Sequence, residues 1–181
     1  MGYAVAQAAA EAGAQVTLVS GPTALDCPAG VERASIVTAR QMYEAVMARS
    51  KRADLFIAVA AVADYHVVNA RGRKIKRGAG NLQIELAPNA DILGAVAAAK
   101  NPPFCVGFAA ETENLEAYAQ EKRRRKKIPL LAANLAQEAF GRDDNALTLF
   151  DDKGRHELAR APKIELARQL VAHIAMMLPK R

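Results

Sequence analysis

The sequence predicts an α/β fold, with a mostly parallel sheet covered by helices on both faces and a hairpin near the C-terminus. Three observations carry this. Short strand-like apolar runs alternate with segments of helical period almost from end to end. Two runs, DLFIAV (54–59) and FCVGF (104–108), are continuously apolar, as strands buried on both faces are. With 181 residues, the chain suits one domain around one filled core, and no repeat or linker interrupts it.

The elements follow in order. Residues 3–13 read as a helix stopped by Gly13. QVTLVS (15–20) reads as a strand before the turn Gly21-Pro22, and VERASIV (31–37) as a second. Thr38 can cap a helix running to about Ser50, and DLFIAV is the third strand. LQIELA (82–87) alternates like a half-exposed strand, after which Asn89 is expected to cap a helix to about Lys100. FCVGF, a helix over 114–127 and the strand IPLLAA (128–133) come next. ALTLFDDKGRHEL reads as a hairpin turning at Asp151–Gly154, and 162–178 as the closing helix. The sum is a three-layer, Rossmann-like arrangement.

Composition narrows the function classes. Hydrophobic residues make up 51% and charged residues 24%, an ordinary globular balance, and the net charge of +6 suits an anionic ligand. With no Trp and 5% aromatics, base-stacking platforms are scarce, so nucleic acid is not expected as a partner. No apolar run is long enough to span a membrane, and the Ala-rich opening lacks the basic start of a signal peptide. Cys27 and Cys105 are read as reduced thiols of a cytoplasmic protein, with Cys105 in a buried strand. His66, His156 and His173 have no metal-ligand spacing, so no protein-held metal is expected.

The chemistry is expected at the carboxyl ends of the strands, where open parallel sheets bind ligands. A long loop leaves the DLFIAV strand through Asp64 and gathers Arg71, Arg73, Lys74, Lys76 and Arg77, a cationic flap suited to a polyphosphate. Asp64, Phe108 and Asn134 sit at three strand ends and could hold a polar group, stack on a base and bond its edge. Asp64 and Asn134 serve equally as turn caps, and Phe108 as core. On the helix over 114–127, Leu115, Ala119, Lys122 and Lys126 share one stripe, so its apolar face runs into two lysines that would seek an anion. A simple crossover helix, however, should carry those lysines away from the ligand edge.

VTLVSGP, AAVADY, KIK, N-x-DI, VGFAAET, KRxRK and F-G-x-D-x-N, in that order, resemble the phosphopantothenoylcysteine synthetase domain of coenzyme A biosynthesis over essentially the whole chain. The resemblance implies a ligase joining 4′-phosphopantothenate to L-cysteine through an acyl-cytidylate made from CTP, with Mg2+ accompanying the triphosphate. It also implies a homodimer, and FMN only where the parent protein carries the fused decarboxylase. Carried over by position, the ligand surface comprises Gly2, Ala58, Val59, Ala60, Ala61, Asp64, Lys74, Ala90, Asp91, Ile92, Leu93, Phe108, Lys122, Lys126 and Asn134. Lys74 is the expected catalytic cation, neutralising the α-phosphate, and Ala90 is expected to begin a helix with free N–H donors.

The chain departs from the family pattern in three places. Arg77 stands where the flap usually has a second lysine, and Pro88 and Ala90 flank Asn89 in place of Lys and Pro. The chain also opens on a helix without the family's first strand and its S-N-x-S-S-G-K segment. A single domain over 1–181, N-terminally truncated and weak as a catalyst by itself, is therefore expected. Two other readings stay open: a catalytically incomplete nucleotide-binding domain, and an NAD(P)-dependent reductase, although no G-x-G-x-x-G follows a strand.

Overall fold

Helix α1 (Gly2–Glu11) ends where Gly13 takes a φ of +87°, a conformation costly for any residue with a side chain. Strands β1 (Val16–Ser20) and β2 (Val31–Ser35) follow, then α2 (Ala39–Ser50). Thr38 caps α2 in a capping box with Gln41: the hydroxyl accepts the Gln41 N–H at 3.2 Å, and Gln41 Oε1 accepts the Thr38 N–H at 3.0 Å. Next come β3 (Leu55–Ala58), β4 (Tyr65–Val67), β5 (Leu86–Pro88) and the short α3 (Ile92–Ala97). The second half holds β6 (Phe104–Glu111), α4 (Leu115–Lys126), β7 (Leu130–Leu135), β8 (Asp144–Asp151), β9 (Gly154–Pro162) and α5 (Lys163–Met177). The structure is a computed structural model describing residues 1–70, 72–77, 80–135 and 142–179. Arg71 of the flap and the Phe140-Gly141 pair of the last motif lie outside the described residues.

Five strands form the main sheet in the order β3-β6-β7-β8-β9. The first three run parallel, and β8 and β9 are antiparallel to their neighbours. Alternation along β7 divides the core in two. Leu130 and Ala132 join Val5 and Ala8 of α1 and Leu166, Leu170 and Ile174 of α5 on one face. Leu131 and Ala133 join Val46 of α2, Ile92, Leu93 and Val96 of α3, and Ala119 of α4 on the other. The α/β architecture with helices on both faces is thus as the sequence predicts.

Several expectations need correction. The parallel sheet is not continuous, because β1 and β2 pair only with each other and β3 is an edge strand. For the same reason, the continuously apolar β3 is half-buried rather than buried on both faces. The strand expected over 82–87 shrinks to Leu86–Pro88, paired antiparallel with β4, and Leu82, Ile84 and Leu86 stay exposed because no layer covers them. Strand β2 stops at Ser35 rather than residue 37, whereas β6 runs to Glu111, three residues past the expected end.

Candidate functional site

The parallel strands end unevenly, and that step builds the candidate site. Ala58, the last residue of β3, lies opposite Gly107, and beyond that point β6 pairs only with β7, up to Glu111 opposite Leu135. The chain therefore enters α4 above the β3 tip and descends. From Phe108 to Glu111 the strand climbs about 10 Å, and from Leu115 to Lys122 the helix comes down by about the same. Lys122 thus arrives level with the β3 tip, where its Nζ donates to the Phe108 carbonyl at 3.1 Å. The overshoot of β6 explains why lysines late in α4 face the strand-tip edge.

Burial depresses the Lys122 pKa, and Lys126 and Arg125 push it the same way, against Glu111 and Asp91. Lys126, one turn on, pairs with the Asp91 carboxylate. Asp91 caps α3, its Oδ1 accepting the Gly94 N–H at 3.1 Å. Burial opposes the Asp91 charge, but Lys126 and the Gly94 N–H outweigh it and hold the carboxyl below the usual carboxylate range. The sequence expected Asn89 to cap this helix and Ala90 to open it. Asn89 instead ties down the loop after β3: its backbone N–H donates to the Asp64 carbonyl at 2.7 Å and its Nδ2 to the Ala63 carbonyl at 2.8 Å. Ala90 lies before the helix, and Ile92 and Leu93 are core residues that brace it.

Other predicted residues fall around this edge. A Cβ on Gly2 would sit 3.7 Å from Val59 Cβ, so the start of α1 abuts the chain just past β3. Tyr3 fixes that approach through its hydroxyl, 2.9 Å from Ser20 Oγ at the end of β1. Ala60, Ala61 and Asp64 are exposed, and no described residue pairs with the Asp64 carboxylate. Phe108 and Asn134 lie inside β6 and β7 rather than at their tips, because both strands end later than expected. Phe108 packs against the core cluster of α1 and α5, the face opposite Lys122, and Asn134 Nδ2 donates to the Leu135 carbonyl at 3.2 Å. The edge is therefore open to both layers.

Lys74 stands apart from this group. It is exposed, makes no hydrogen bond or ion pair with a described residue, and lines an open hollow of about 580 Å³ with Gly72, Arg73, Ile75 and Lys76. Among the described residues, only those of the flap line that hollow.

Residues 1–178 match the DNA/pantothenate metabolism flavoprotein C-terminal domain family. The chain belongs to this family. As a member, it is 46% identical over 173 residues to the coenzyme A biosynthesis bifunctional protein CoaBC of Vibrio cholerae, covering 92% of this chain and 43% of the relative. Against CoaBC of Escherichia coli K12 the identity is 45% over 178 residues, covering 94% and 44%. The chain thus spans less than half the length of these relatives. A crystal structure of a CoaBC C-terminal domain superposes with a TM-score of 0.83 at 37% identity, over 98% of this chain and 81% of that one. The Streptococcus pneumoniae family structure, at 15% identity and a TM-score of 0.81, shares the fold.

Proposed function

We propose that the chain carries the ligase chemistry of coenzyme A biosynthesis: ATP-type activation of an acid, run on CTP. The carboxylate of 4′-phosphopantothenate attacks the α-phosphorus of CTP, pyrophosphate leaves, and an acyl-cytidylate forms. The amine of L-cysteine then attacks the acyl carbon, CMP leaves, and an amide remains. The observation that carries this reading is the stepped strand edge, where Lys122 and Lys126 face the β3 tip from α4. Family membership supplies the reaction class.

In this reading the Ala58–Ala61 backbone and Asp64 flank the nucleotide or the phosphopantothenate, with Gly2 closing one side. Ile92 and Leu93 hold α3 in place beneath Ala90 and Asp91. Lys126 is the anion clamp, released from Asp91 when phosphate competes for it. Lys74 meets the α-phosphate and offsets the charge that builds there. Phe108 and Asn134 border the base. Mg2+ would keep most of its shell as water and phosphate oxygen, and the exposed Asp64 carboxylate, which no described residue pairs with, would fit it as an oxygen donor. Any flavin belongs with a fused decarboxylase and is assigned no residue here.

A second copy of the chain is the proposed partner. Tyr65, Val67 and Leu86 expose apolar surface on the ribbon of β4 and β5, as Ile84 does just before β5, and a homodimer would cover it. Such docking also offers a route for the flap to meet the strand tips. Sedimentation of the chain should give a dimer that Leu86→Asp dissociates; a monomer at all concentrations contradicts the pairing.

The reaction is tested by incubating the chain with CTP, Mg2+, 4′-phosphopantothenate and cysteine. Pyrophosphate release that needs phosphopantothenate, and CMP release that needs cysteine, are the expected results. Ligand-induced stabilisation by NADPH rather than CTP would favour the reductase instead.

A further inference from the structure

At the opposite edge of the sheet, three side chains converge that no sequence spacing brings together. Asp151 ends β8, His156 lies on β9 just past the hairpin turn, and His173 comes from α5. Strand β8 runs antiparallel to β7, with Phe150 opposite Leu131, so Asp151 stands by the start of β7 and away from Asn134. The cluster is therefore separate from the strand-tip site.

Its geometry is that of converging ligands. His156 Nε2 lies 3.1 Å from Asp151 Oδ1 and His173 Nε2 lies 3.0 Å from Oδ2. The ligand atoms of all three residues fall within 4.8 Å of one another. Asp151 Oδ1 also accepts the N–H groups of Lys153 at 2.7 Å and Gly154 at 3.1 Å, so the turn clamps the carboxylate in one orientation. The Asp151 side chain is 1% exposed, and those of His173 and His156 are 16% and 35% exposed, which leaves a route in from solvent on the imidazole side.

We propose that Asp151, His156 and His173 form a zinc site that pins the closing helix to the β8–β9 hairpin. Two imidazole nitrogens and one carboxylate are the donor set of a three-ligand Zn2+ centre whose fourth position holds water. Ligands about 2.1 Å from one tetrahedral ion lie about 3.4 Å apart. Each Nε2 already lies near that distance from one carboxylate oxygen, His156 from Oδ1 and His173 from Oδ2, so an ion on either oxygen requires the other ring to shift toward it. The two Nε2 atoms must also draw together, and each ring must present a bare Nε2, with its remaining proton on Nδ1 and any extra proton released to solvent. No electron is exchanged. The ion would crosslink β8, β9 and α5, which a shared apolar core and the hydrogen bonds to Asp151 already hold together.

The test is a competition titration of the 181-residue chain with Zn2+ against a chromophoric chelator, paired with thermal unfolding. One Zn2+ per chain and a rise in midpoint are expected. His156→Gln and His173→Gln should each weaken binding by at least about 10-fold, and the double variant should abolish it. His66→Gln, an exposed histidine elsewhere, should change nothing. If the double variant fails to fold, Co2+ added to the wild-type chain gives the second measurement: a tetrahedral visible spectrum supports the site, and the spectrum of the hydrated ion overturns it. Zinc uptake unchanged by the double variant, or no uptake at all, would leave the cluster as a hydrogen-bonded clasp and refute the proposal.

Discussion

In the sheet, Leu130 and Ala132 of β7 press against one helix layer while Leu131 and Ala133 press against the other, all four fully buried. In the ribbon of β4 and β5, Tyr65, Val67 and Leu86 have no layer above them, and the chain between the two strands carries Arg73, Lys74, Lys76 and Arg77 in the open. Both regions carry apolar residues at strand spacing, but their fates differ. Burial on two sides makes the sheet the source of stability, whereas the ribbon holds surface and charge that only a ligand or a second copy can use. Changes in the body should therefore move unfolding, and changes in the ribbon should move binding.

Leu170→Ala tests the body hardest. The residue is fully buried between α5 and the sheet, so truncation should cost about 2–5 kcal/mol in urea unfolding. Gly107→Ala comes next. A Cβ there would stand 2.8 Å from the δ1 methyls of Ile128 and Leu131 and 2.9 Å from Leu93 Cδ2, three neighbours that cannot all retreat within a packed core. Overpacking of that kind should cost about 1–3 kcal/mol.

The Asp91–Lys126 pair lies between the two extremes. Because the Asp91 carboxyl is held below its ordinary range, its contribution is present above the unfolded value of about 3.9 and is lost as pH falls through the lower folded value. Asp91→Asn keeps the cap on α3 but should flatten that acid limb by less than about 1 kcal/mol, since the pair is half-open to screening solvent. Smallest is Ile84→Ser beside the exposed ribbon, which in the dissociated chain (Leu86→Asp background) should shift unfolding by no more than about 0.5 kcal/mol. A large loss there would mean that the ribbon is part of the core.

Where local chemistry decides, the sequence was legible. Thr38 announces the start of α2, Gly13 the end of α1, and Asp151–Gly154 the hairpin. The stripe of Leu115, Ala119, Lys122 and Lys126 also lies on one inward face of α4, as its spacing says. What failed depended on partners distant in sequence. DLFIAV reads as a central strand, yet its burial depends on a neighbour that β1 does not supply. LQIELA alternates correctly, but nothing packs on its apolar side. Asn89 and Asp91 are both good caps, and the choice fell to Asp91 because Asn89 is drawn to Ala63 and Asp64 across the ribbon. The candidate site residues were named mainly through family likeness, since the level at which Lys122 meets β3 depends on how far β6 overshoots. The Asp151 cluster was invisible because its members come from three elements.

The division of labour between body and ribbon is tested most directly by titrating CTP into the chain and into Lys74→Gln while following both heat of binding and unfolding midpoint. Lys74 is exposed and makes no hydrogen bond or ion pair with a described residue, so the ligand-free midpoint should be unchanged while CTP affinity falls by at least about 10-fold. Equal CTP affinity in the two proteins would contradict the account.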